Sequence, residues 1–185
     1  MKPVTGVRWL APLWIAALAA FSAALTATYT CTVPFAALSV GAAMMLSTRQ
    51  ALLCATTIWL ANQGAGFLLM GYPWTASAIG WGITIGAAVI LATVAVQWLV
   101  RRLDALGPAA HTVTAFIAAF AVYQATLYLA AVSVLGGTGA FAPGIIAQVL
   151  VVNVVTLVGL WGLSQLLTVA MSSYRRRGSA PARLA

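Results

Sequence analysis

The sequence contains no glutamate and a single aspartate, Asp104. Paired carboxylates for acid/base chemistry are therefore excluded. Ion-driven carriers place an ionisable group inside the membrane, and no apolar run here holds an acid. Histidine occurs once, at His111, and cysteine twice, at Cys31 and Cys54. Two distant cysteines make neither a disulfide framework nor a C-x-x-C metal pair. No G-x-x-x-x-G-K loop is present, so ATP is not bound in that way. Charged residues of any kind make up 5% of the chain, against about 25% in a soluble domain.

What fills the 185 residues instead is apolar, 63% of the total. Repeated runs of about 20 such residues place the chain in the lipid bilayer. Six spans are expected, at 9–28, 35–48, 51–70, 77–100, 109–134 and 144–172. The second is too short to cross a core of about 30 Å at 1.5 Å per residue; it must tilt, thin the bilayer or pack deep in the bundle. The N-terminal stretch has the basic start and small residues of a cleavable signal peptide. Its apolar run is long for one, and it is read as the first span. Residues 1–174 then form a single transmembrane domain, and 175–185 a basic cytoplasmic tail.

The nine basic residues fix the expected topology. Lys2 and Arg8 precede the first span, Arg49 falls between the second and third, and Arg101 and Arg102 between the fourth and fifth. Arg175, Arg176, Arg177 and Arg183 follow the sixth. The remaining loops, 29–34, 71–76 and 135–143, carry no charge. The positive-inside rule then puts both termini in the cytoplasm of a multi-pass protein of the bacterial inner membrane. The net charge of +8 is explained by topology, and nucleic acid is not expected as a partner.

Polar residues inside a membrane are costly and often mark function. Asn62, Gln63, Gln124 and Asn153 all lie roughly 13–15 Å below the uncharged loops by helix rise. Their common depth points to an outward-opening cavity lined by neutral amides, suited to an uncharged or amide-bearing ligand. The alternative is that they hydrogen-bond helix to helix. Asn62 and Gln63 are adjacent, so at least one is expected to serve packing. Tyr72 and Trp74, in the loop "MGYPWTAS", and Tyr128, one turn beyond Gln124, add aromatic surface at the same end. Trp81 and Gly82 sit at the cavity mouth or serve as anchor and packing. His111 and Cys54 read as structural.

Cys31 stands in the loop "TATYTCTVPF", above the amide layer. A bare zinc or copper ion needs three or four protein ligands, so no free metal-ion site is expected. A metal already caged by a macrocycle needs only an axial ligand, which a thiolate supplies. The plain alternative is a small apolar residue in a loop. In the first span, Ala16, Ala20 and Ala24 recur every four residues and would let another backbone approach closely.

Six spans, both termini inside and an alanine-striped first helix resemble the substrate-binding S-components of energy-coupling-factor (ECF) vitamin transporters. The resemblance implies an all-α, six-helix membrane bundle. Ala16, Ala20 and Ala24 would dock on an ECF transmembrane coupling subunit, with partner ATPases supplying energy. Substrate would enter beneath the three uncharged loops. The cobalamin-binding BtuM type is similar in one further respect, a single cysteine that serves as axial ligand to the corrin cobalt and is associated with loss of an upper cyanide. That likeness implies cobalamin or a related corrinoid as bound substrate, Cys31 on its cobalt, and Asn62, Gln63, Tyr72, Trp74, Gln124, Tyr128 and Asn153 around it. Another neutral vitamin or metabolite, or a non-transport structural subunit of a membrane complex, remains the alternative.

Overall fold

The computed structural model describes residues 33–103 and 107–178, with side chains up to residue 162. The expected first span, its Ala16, Ala20 and Ala24 row, and Cys31 lie outside the described residues. All regular structure within them is helical, with no strand. Five α-helices follow in order: α1 (Phe35–Met45), α2 (Thr48–Gly64), α3 (Ala76–Val100), α4 (Pro108–Ala130) and α5 (Pro143–Gly178). Single π-helical turns, Ala65–Leu69 and Ala131–Leu135, extend α2 and α4, and a 3₁₀ turn, Thr138–Phe141, leads into α5. With these extensions α2, α3, α4 and α5 are long and apolar enough to cross a membrane.

Local chemistry sets the boundaries. The Gln50 amide oxygen accepts hydrogen bonds from both the backbone N–H (3.3 Å) and the hydroxyl (2.8 Å) of Ser47. This Ser-x-x-Gln start launches α2 at Thr48, three residues before the expected 51, and brings Arg49 into the first turn instead of the loop. The preceding connection shrinks to Leu46–Ser47. Thr75 caps α3 by accepting from the Ala78 N–H at 3.2 Å. Proline stands at the first position of both α4 and α5, where its missing N–H costs nothing. The loop after α2 turns on Gly71 at φ +69°, and the one after α4 on Gly136 and Gly137 at +72° and +81°.

α1 is the centre of the molecule. Phe35 to Val40, Ala42 and Ala43 are all buried, and α2, α3, α4 and α5 pack around them. A helix that is apolar all round belongs inside. At 11 residues it is about 16 Å long, shorter than the expected 35–48 and too short to cross a membrane by itself; it is buried among longer neighbours.

The two ends of the bundle differ. Where α1 ends, the Gln97 Nε2 of α3 donates to the carbonyls of Ala43 (2.8 Å) and Leu46 (3.4 Å), and its Oε1 accepts from Thr48 Oγ1 at 3.1 Å. Arg101 Nη2 joins Gln97 Oε1 at 3.3 Å. Arg102 lies over the Trp98 ring at 4.2 Å. His111 Nε2 is 3.3 Å from the Val100 carbonyl. Arg49, Arg101 and Arg102 therefore share one end. The loops carrying Tyr72, Trp74, Gly136 and Gly137 form the other, and none of their described residues is charged.

Candidate functional site

The site follows from where α1 begins. Its first residue, Phe35, faces Tyr123 of α4 with ring centroids 6.0 Å apart. Tyr123 lies about 18 Å below the far end of α4's extension at 1.5 Å per residue. The central helix thus starts partway down the bundle. Between α2, α3 and α4, above its head, is a cavity of about 310 Å³.

Asn62 and Gln63 line the cavity from α2, Phe67 from the π turn that extends it, Trp81, Gly82 and Ile85 from α3, and Tyr123 from α4. Val33 and Phe35 form its floor at the head of α1, and Tyr72 and Pro73 its rim. Every one of these side chains is uncharged. Gln63 Nε2 donates to Asn62 Oδ1 at 3.3 Å, so the two amides present one connected polar strip on a largely aromatic wall.

Glycine lets α2 and α3 come close enough to make that wall. Gly82 and Gly86, one turn apart, receive the side chains of Gln63 and Trp59, also one turn apart on α2. A methyl group at Gly86 would meet the Trp59 ring at 2.6 Å, and one at Gly82 would meet Gln63 Oε1 at 2.6 Å. The Trp59 indole N–H donates to the Gly82 carbonyl at 2.8 Å. At the rim, Tyr72 covers Gly66, where a methyl group would lie 2.7 Å from its ring. Phe67 supports both loop aromatics, edge-on to Tyr72 at 6.1 Å and against Trp74 at 4.7 Å.

Of the residues singled out from sequence, the structure brings Asn62, Gln63 and Tyr72 to the cavity, with Trp81 and Gly82 of the expected mouth. Both adjacent amides line it, and Gln63 also packs against Gly82, the packing role expected of at least one of the two. Trp74 is 71% exposed beyond the rim. Tyr128 is turned outward against Phe141, ring centroids 5.2 Å apart, and Gln124 does not reach the lining. Asn153 is buried elsewhere: its Oδ1 accepts from the Ala37 N–H at 3.0 Å and its Nδ2 donates to the Val149 carbonyl at 2.9 Å. It ties α5 to the head of α1, the helix-to-helix alternative for such amides.

Three lining aromatics, Phe35, Phe67 and Tyr123, were not anticipated. "AVYQATLY" offers Gln124 as the polar residue, but the helix presents its neighbour to the cavity. Cys54, buried in α2, lies on the helix toward its arginine end. Among the described residues no three of His, Cys, Asp and Glu come together. The described wall offers stacking, apolar contact and neutral hydrogen bonds. No protein-family model, curated protein or solved structure matches this chain.

Proposed function

We propose that the protein is a membrane-embedded substrate-binding transport protein, S-component-like, that takes a small neutral ligand into the cavity from the arginine-free end. The observation that carries this reading is the uncharged cavity of amides and aromatics above the head of α1. A site meant for an ion or an ion-coupled step would carry a charge; this wall has none. In the same proposal the chain has six spans, with both termini on the arginine side in the cytoplasm of a bacterial inner membrane. The Ala16, Ala20 and Ala24 row docks on a coupling subunit whose ATPases supply the energy.

A volume of about 310 Å³ is at the low end of the range of about 300–1,000 Å³ for small-molecule sites. It suits a ligand of one or two rings. A corrin with its side chains exceeds it, so the smaller neutral vitamin or metabolite is the better-supported substrate. The corrinoid stands as a second reading because Val33, which lines the cavity, follows Cys31 by two residues. In that reading Cys31 is the axial cobalt ligand and assists decyanation.

The test is a stability screen of the purified protein against neutral vitamins, with Ala78→Trp as the blocked control, since Ala78 lines the cavity. A ligand that stabilises the parent protein but not the control supports the reading. Equal stabilisation of both overturns the site. For the corrinoid, protein purified from cells fed cyanocobalamin should be coloured, with a visible spectrum that changes in Cys31→Ala. A colourless preparation that fails to support corrinoid-dependent growth ends that reading.

A further inference from the structure

The first backbone N–H groups of a helix have no acceptor within it. At the head of α1, Phe35 N–H donates to the Val33 carbonyl at 2.8 Å and Ala37 N–H to Asn153 Oδ1 at 3.0 Å. The amino end of α1, the positive end of its dipole, lies at the cavity floor with Val33 and Phe35. A second observation is independent of the helix. Tyr123 is only 7% exposed, lines the cavity and has no hydrogen-bond partner for its hydroxyl among the described residues. Buried phenols usually find one.

We propose that the Tyr123 hydroxyl and the amino end of α1 form the polar pole of the ligand site, and that the ligand is a flat, neutral heteroaromatic carrying a carbonyl-type acceptor. The hydroxyl donates to that acceptor. The ring of the ligand packs against Phe35, Phe67 and Trp81. A half-charge dipole end suits a dipolar oxygen. A full anion would lose its hydration with no cation on the lining to replace it. This inference rests on the proposed binding function and names the substrate class for that site.

Equilibrium dialysis of the full chain in lipid nanodiscs, corrected with empty discs, tests it with three probes of similar size. Oxindole carries the carbonyl, indole lacks it, and indole-2-carboxylate carries a charge. Oxindole is expected to bind about tenfold more tightly than indole, the worth of one buried hydrogen bond, and the carboxylate most weakly. Tyr123→Phe should lower oxindole affinity to that of indole and leave indole unchanged. Equal affinities in the parent protein, a preference that survives Tyr123→Phe, or a carboxylate that binds best would each overturn the inference while the binding function stands. Binding of no probe above empty discs, or binding undiminished in Ala78→Trp, overturns the binding function itself and the inference with it.

Discussion

Gly82 and Gly86 sit one turn apart on α3, yet what faces them differs in stiffness. Gly86 faces the fused rings of Trp59, which the hydrogen bond to the Gly82 carbonyl at 2.8 Å holds in place. Gly82 faces the tip of a flexible amide, Gln63. Gly86→Ala is expected to destabilise by about 1–3 kcal/mol, the usual cost of overpacking, seen as a lower thermal midpoint in detergent. Gly82→Ala should leave the midpoint nearly unchanged, because Gln63 can swing away, and should alter ligand affinity instead. An unchanged midpoint for Gly86→Ala would mean that α2 and α3 are not pressed together here. Asn153 makes a similar contrast. Asn153→Leu leaves the buried Ala37 N–H without its acceptor, a loss of about 1–3 kcal/mol, whereas Asn153→Asp keeps an acceptor oxygen but introduces a buried charge. The leucine variant should unfold at lower temperature while the probe preference set by Tyr123 persists.

At the scale of the element, α1 decides both the fold and the site. Its lower end depends on Gln97, which supplies a donor to the carbonyls of Ala43 and Leu46. Gln97→Leu withdraws that donor and the acceptor for Thr48. About 2 kcal/mol of stability should be lost, measured by denaturation in micelles. Ligand binding at permissive temperature should be retained, because Gln97 is at the opposite end from the cavity. Lost binding with unchanged stability would contradict this division of roles. The starts of α3, α4 and α5 were legible to within a residue or two, because Thr75, Pro108 and Pro143 punctuate long apolar runs. At the start of α2 the charge of Arg49 points to a loop, but Ser47 and Gln50 form a capping box there and begin the helix at Thr48. Asn62, Gln63 and Tyr72 were legible because amides stand out in an apolar run and aromatics in a glycine–proline loop. Asn153 and Gln124 lie at the cavity's depth but outside its lining, because depth fixes height along a helix but not direction around it. Tyr123 resembled any membrane aromatic; its burial depends on α1 beginning halfway down, which no periodicity reveals.

At the scale of the whole molecule, the division of charge is the strongest physical signal. Arg49, Arg101 and Arg102 gather at one end, with the Trp98 ring under Arg102 at 4.2 Å, an aromatic-and-cation pairing suited to a membrane–water boundary. The opposite end carries Trp74, 71% exposed, and loops without charge. Cationic ends are retained in the cytoplasm, so the cavity should open to the outside. In a variant lacking Cys31 and Cys54, Trp74→Cys should react with a membrane-impermeant maleimide on intact cells. Arg102→Cys should react only after permeabilisation. The distinction is clean because both positions are exposed in the structure, so a failure to label reports the membrane, not burial in the protein. The reverse pattern would place the arginine end outside and the cavity facing the cytoplasm, and would overturn the proposed uptake from outside. Labelling of both in intact cells would mean that the four long apolar helices do not separate the two ends across a bilayer.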